Sequence, residues 1–136
     1  MARKPKEADP EEPAKERHSF TKEVKETLAK RVHYHCSYPD CRIPTVGPDE
    51  VQGYVLTGEA AHICAASPLG PRYDRDQDKA ERSGLDNGIW LCSIHHKIVD
   101  ANDCTYTVET LRAWKLEAET NARENQLRHG LTRPTH

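Results

Sequence analysis

The chain has 136 residues, 35% hydrophobic and 31% charged, with a formal net charge of −2 and a pI near 6.4. That length predicts one domain with tails, and the near-neutral charge excludes binding nucleic acid by bulk basicity, so any phosphate-binding surface must be local. With neither an apolar leader nor a long apolar run, the chain is expected to be intracellular and to span no membrane.

Residues 1–17, "MARKPKEADPEEPAKER", carry three prolines and mixed charges with no large apolar residue after Met1. They read as a disordered tail. A helix is predicted over 20–32, where Phe20, Val24 and Leu28 recur at helical spacing and Thr21 or Ser19 can cap the start. "HYHCSYPDCRIPT" follows, with Pro39 and Asp40 making a tight turn between two cysteines. Residues 45–53 read as a Gly/Pro/Asp loop and about 56–63 as a strand. The polar run 67–85 reads as a long loop with a short helical turn at its end. A short strand is expected at "TYT" (105–107). The clearest helix is 108–128, capped by Thr107, with Val108, Leu111, Trp114, Ala118 and Ala122 on one face and Gly130 and Pro134 ending it. The expected organisation is a tail at 1–17, a domain at 18–129 and a tail at 130–136.

A domain this lean in apolar residues often needs a staple. An intracellular chain with an odd cysteine count, five, points to metal rather than disulfides. Cys36 and Cys41 form a C-x4-C pair on a turn, and Cys92 and His95 form a C-x2-H pair. Two such pairs from separate segments supply the four N/S ligands of a tetrahedral structural Zn²⁺ site. Cys64 and Cys104 have no partner at ligand spacing, and Trp90 and Trp114 are assigned to the core.

A closed site of that kind leaves His62, Asn87 and His96 over. Asn87 and His96 are nine residues apart, and His96 directly follows the last zinc ligand in "LCSIHHKIVD". Here the sequence resembles the HNH (ββα-metal) endonucleases. The ordered set "GEAAHICAASPLGPRYD", "LDNGIWLC", "KIVD" and "YTVETLRAWKLEAE" is most similar to the HNH effector domains joined to SAVED sensors in CBASS-type anti-phage systems. The resemblance covers about residues 20–122.

The resemblance implies an α+β fold: a small zinc-stapled ββα-metal nuclease domain with flanking N- and C-terminal helices. It implies a cytoplasmic bacterial enzyme that hydrolyses DNA phosphodiester bonds, most simply double-stranded DNA with low sequence specificity, as a defence effector. It also implies a sensor, an activator partner or a homo-oligomer that holds the activity in check. Within it His62 is the general base, since an imidazole with a pKa of about 6.5 accepts a proton near neutral pH. Asn87 holds the loop behind His62, and His96 binds a catalytic Mg²⁺ or Mn²⁺. The family carries an Asp just before the base histidine as second ligand, where this chain has Ala61. Asp100, four residues after His96, is the candidate replacement and Glu59 the fallback. Arg72 is expected to reach a phosphate as a bidentate fork and Lys97 as a point charge. The rival expectation is a non-catalytic zinc-knuckle module that binds nucleic acid or protein, and a third is RNA cleavage on the same scaffold.

Overall fold

The computed structural model describes residues 18–132; the expected N-terminal tail, and 133–136 with Pro134, lie outside them. The fold is α+β, with two small antiparallel sheets and helices around them.

Helix α1 spans Lys22–Lys30, with Thr21 accepting a hydrogen bond from the Val24 amide as its N-cap. Two three-residue strands follow, β1 (Val46–Pro48) and β2 (Tyr54–Leu56), paired antiparallel. Strand β3 (Gly58–His62) pairs antiparallel with β4 (Gly88–Cys92), with Ala60 opposite Trp90 and His62 opposite Gly88. The long connection between them holds the four-residue helix α2 (Lys79–Arg82) and a 3₁₀ turn at Leu85–Asn87. Helix α3 (Ser93–Ala101) follows β4 directly, and α4 (Val108–Thr132) closes the chain.

Four elements differ from the sequence reading. The expected loop at 45–53 contains β1. The strand expected at about 56–63 is broken at Thr57, whose amide donates to Thr45 O at 2.7 Å, so that β2 and β3 join different sheets. Residues 105–107 form no strand; Thr105 and Tyr106 both donate to Asn102 O in a turn, and Thr107 then caps α4 by accepting from the Thr110 amide. Gly130 does not end α4, which continues to Thr132.

The main core gathers Ala61, Ile63, Ile89, Leu91, Val99 and Leu111, with Tyr38 and Trp114 against it. A second cluster joins Ala29 and Val32 beside α1 to Trp90 and Ala118. Trp90 is buried, and its indole N–H donates to Thr45 Oγ1 at 2.9 Å, as a buried indole requires. Gly88 lets α1 seat on β4: a Cβ there would stand 2.4 Å from Leu28 Cδ1 and 3.1 Å from the Phe20 ring. Across the far side, Arg31 makes a two-pronged contact with Glu119 at 2.9 and 3.0 Å, tying α1 to α4. Among the described residues no helix is long and apolar enough to cross a membrane.

Candidate metal centre and active site

Cys36, Cys41, Cys92 and His95 each bring one ligand atom to a common point, all within 4.8 Å of one another. His95 Nδ1 lies 3.3 Å from Cys92 Sγ and 3.8 Å from Cys36 Sγ. A tetrahedral ion with ordinary Zn–S and Zn–N bonds needs a ligand–ligand edge of about 3.6 Å, so the cluster is the right size. Burial pushes the Cys36 thiol up to about 12, which makes a thiolate there unfavourable without a cation beside it. Three sulfurs and an imidazole nitrogen converging in a partly to fully buried place therefore form a possible metal site.

Local structure explains the convergence. Cys92 ends β4 and caps α3, its sulfur accepting from the His95 amide at 3.5 Å. The Ser37 amide donates to Trp90 O at 2.9 Å, which brings the Cys36–Cys41 turn alongside β4. Tyr38 stacks on the His95 ring at 3.9 Å with a 10° interplanar angle and holds it in the cluster. Cys64, buried, and Cys104, exposed, stand outside the group.

His62 and His96 reach a different place. A cavity of about 360 Å³ is lined by His62 from β3, by His96 and Asp100 from α3, and by Phe20, Lys25 and Pro71 around them. His62 stacks on Phe20 at 3.9 Å and 9°, and its Nε2 is 3.0 Å from His18 O. A carbonyl only accepts, so Nε2 carries the proton in the neutral ring and Nδ1 carries the lone pair. Asn87 is buried behind it. Its Oδ1 accepts from Cys64 N at 2.9 Å, and its Nδ2 donates to Cys64 O at 2.9 Å and Arg82 O at 3.0 Å. Ile63 N also donates to Asn87 O at 2.8 Å, so the segment just after His62 is gripped on both sides.

The two imidazole nitrogens of His96 face different carboxylates. Nδ1 is 3.5 Å from Glu59 Oε1, and Nε2 is 3.7 Å from Asp100 Oδ2. An ion taken at Nε2 would share Asp100, leaving Glu59 to accept the Nδ1 proton, which is the usual carboxylate–histidine–metal order. Asp100 lines the His62 cavity; Glu59 lines a neighbouring one. Ala61 is 1% exposed within the main core beside Ile63 and Val99, and contributes nothing to the cavity.

Arg72 departs from the expected use. Its side chain is 3% exposed and its donors are engaged by the protein: Nε with Ile63 O at 2.7 Å, Nη1 with Val99 O and Tyr106 O, and Nη2 with His62 O and Asp100 Oδ1. A guanidinium has five N–H groups, and five acceptors surround this one. It is therefore not a fork held out to a phosphate. Lys97 is exposed on α3. The cation at the cavity is Lys25 of α1, which the sequence reading passed over; as one lysine among several on a charged helix face it carries no distinguishing signal. His18 and Phe20 were also missed, since they meet His62 from the far end of a long stretch of chain, His18 across 44 residues.

No protein-family model matches the chain, and no curated protein matches it at a significant level.

Proposed function

We propose that the protein is a metal-dependent endonuclease of the HNH (ββα-metal) type that hydrolyses DNA phosphodiester bonds, with a structural Zn²⁺ at Cys36, Cys41, Cys92 and His95. The observation that carries this reading is that His62 and His96, from separate elements, line one cavity with Asp100 while Asn87 grips the segment after His62. The order of these residues in the sequence, with the HNH resemblance, supplies the class of reaction.

In this mechanism His62 is the general base. Its Nε2–H is held by the His18 carbonyl, so Nδ1 takes the proton of an attacking water. The water oxygen bonds to phosphorus, the P–O3′ bond breaks, and the 3′-oxygen picks up a proton from solvent. Lys25 steadies a phosphate at the mouth of the cavity. His96 and Asp100 would hold a Mg²⁺ or Mn²⁺ ion, which supplies charge stabilisation to the phosphate and the leaving oxygen. A role in anti-phage defence, and control by a sensor, activator or oligomer, follow from the resemblance and belong to the same proposal.

Plasmid nicking with Mg²⁺ or Mn²⁺ tests the reading, with wild type beside His62→Ala and a parallel RNA substrate. Wild type should nick DNA and the variant should lose at least about 100-fold in rate. Equal activity of the two proteins, with any activator present, would sink the enzyme reading. A second reading is a non-catalytic zinc-knuckle binding module. It is favoured by Ala61, which leaves the position before His62 in the core without a carboxylate. DNA binding by a wild type that never cuts is its signature.

A further inference from the structure

We infer that Arg72 is a positioning residue of the candidate active site, acting on Asp100 and on the end of β3 rather than on substrate. The inference rests on the endonuclease reading for its functional meaning. The geometry stands apart from it.

Arg72 sits in the long connection between β3 and β4 with a φ of 60°, a left-handed conformation that side-chain-bearing residues adopt infrequently. The guanidinium turned inward from there meets three segments at once. It holds His62 O and Ile63 O at the end of β3, at 3.4 and 2.7 Å. It holds Val99 O at 3.3 Å and Asp100 Oδ1 at 2.8 Å on α3, and Tyr106 O at 3.4 Å ahead of α4. The segment bearing the base and the helix bearing the metal ligands thus share one rigid planar spacer.

The contact with Asp100 is selective. Oδ1 is taken by Arg72 at 2.8 Å, while Oδ2 is the oxygen that faces His96 Nε2 at 3.7 Å. Occupying one carboxylate oxygen fixes the rotamer and presents the other in a single direction. A partner of this kind just outside a metal's ligands typically changes affinity or rate by about 10–100-fold when removed. A lysine cannot reproduce it, because an ammonium has three donors and no plane.

The test uses the zinc-loaded full chain and follows Mn²⁺ affinity by electron paramagnetic resonance, cleavage rate at saturating DNA, and duplex affinity in Ca²⁺. Arg72→Gln should weaken Mn²⁺ binding by about tenfold or more and lower kcat, with duplex affinity unchanged. Arg72→Lys should recover only part of the loss. In an Asp100→Asn background, Arg72→Gln should change Mn²⁺ affinity no further, because the effect runs through that carboxylate. Unchanged Mn²⁺ affinity with weakened duplex binding overturns the inference and returns Arg72 to the role of a phosphate contact.

If Arg72→Gln loses zinc and its melting transition, the wild type decides by nuclear magnetic resonance. Its Arg72 Nε–H signal should broaden on adding Mn²⁺ and stay in place on adding metal-free duplex. The reverse pattern overturns the inference. A wild type that never cuts DNA removes the nuclease reading alone, since the Mn²⁺ comparison still reports on Arg72.

Discussion

His95 and His96 are adjacent in the chain but face different surroundings: His95 Nδ1 lies 3.3 Å from Cys92 Sγ, whereas His96 Nε2 points toward Asp100 Oδ2 at 3.7 Å. On a helix, consecutive side chains point about 100° apart, and α3 begins at Ser93, so one turn sends one ring to the Cys/His cluster and the next to the cavity shared with His62. His95→Ala should therefore remove a metal ligand and lower the melting temperature by on the order of 10 °C or more. His96→Ala should keep zinc and fold while losing divalent-ion binding and cleavage. Zinc content, a thermal melt and a nicking assay on both variants check the division.

The four-ligand cluster gives a pH signature. With no ion bound, burial raises the Cys36 thiol to about 12, so the metal-free fold holds a proton that the unfolded chain releases near the ordinary thiol value of about 8.5. The metal-free fold should thus lose stability as pH rises through that interval, because its unfolded state binds fewer protons. Metal uptake displaces thiol protons, so affinity should rise with pH over the same range. Chelator-treated and zinc-loaded protein, melted across rising pH, should diverge; parallel curves would contradict this.

Asn87→Ala should be severe for its size. It strands Cys64 N, Cys64 O and Arg82 O, three backbone groups now satisfied by one buried amide. Each unsatisfied buried group costs about 1–3 kcal/mol, and with some repair by water a net loss of about 3 kcal/mol is expected. Asn87→Asp should be damaging too, because a carboxylate accepts from Cys64 N but faces two carbonyls it cannot donate to. Denaturant unfolding of both variants measures this, and hydrogen exchange at Cys64 locates it.

Lys25→Ala should weaken duplex binding and reduce the slope of log affinity against log salt by about one. The residue lines the His62 cavity and its ammonium is exposed, so the fold should be unaffected. Fluorescence anisotropy at several salt concentrations reads both effects. An unchanged slope would remove Lys25 from the phosphate contacts.

Glu119 joins α1 to α4 and should shape the acid limb of stability. Burial opposes its ionisation, but hydrogen bonds from Arg31 and the charge of Lys115 outweigh this and hold the carboxyl below its ordinary value. The contribution is present above the unfolded-state value of about 4.3 and is lost as pH falls through the lower folded value. Arg31 is half exposed, so the effect is about 1 kcal/mol. Glu119→Gln should be less stable at neutral pH by that amount and no different from wild type in strong acid.

Residue types at fixed spacing were what the sequence disclosed best. Helices α1 and α4 followed from apolar recurrence, and the four-ligand group followed from two short-spaced pairs, because each pair is held by local turn chemistry. What escaped was set by contacts between distant segments. The break at Thr57 depends on Thr45, the pinning of His62 depends on His18 and Phe20, and the inward turn of Arg72 depends on acceptors from three separate segments. No spacing rule along one segment encodes such partners. The short strand β1, with Gly47 and Pro48, looked like a loop because its composition is that of one, and only pairing with β2 makes it a strand.

The clasp of His62 by His18 and Phe20 sets a practical boundary for truncation. Trimming the chain to begin at Thr21 would keep the cap of α1, the Arg31–Glu119 tie and all four ligands of the Cys/His cluster. It would take away both the ring that stacks on His62 and the carbonyl that fixes its tautomer. Such a shortened protein would retain the four-ligand cluster, lose the buried Phe20 ring from the seat of α1 on β4, and be the wrong reagent in which to test the proposed activity.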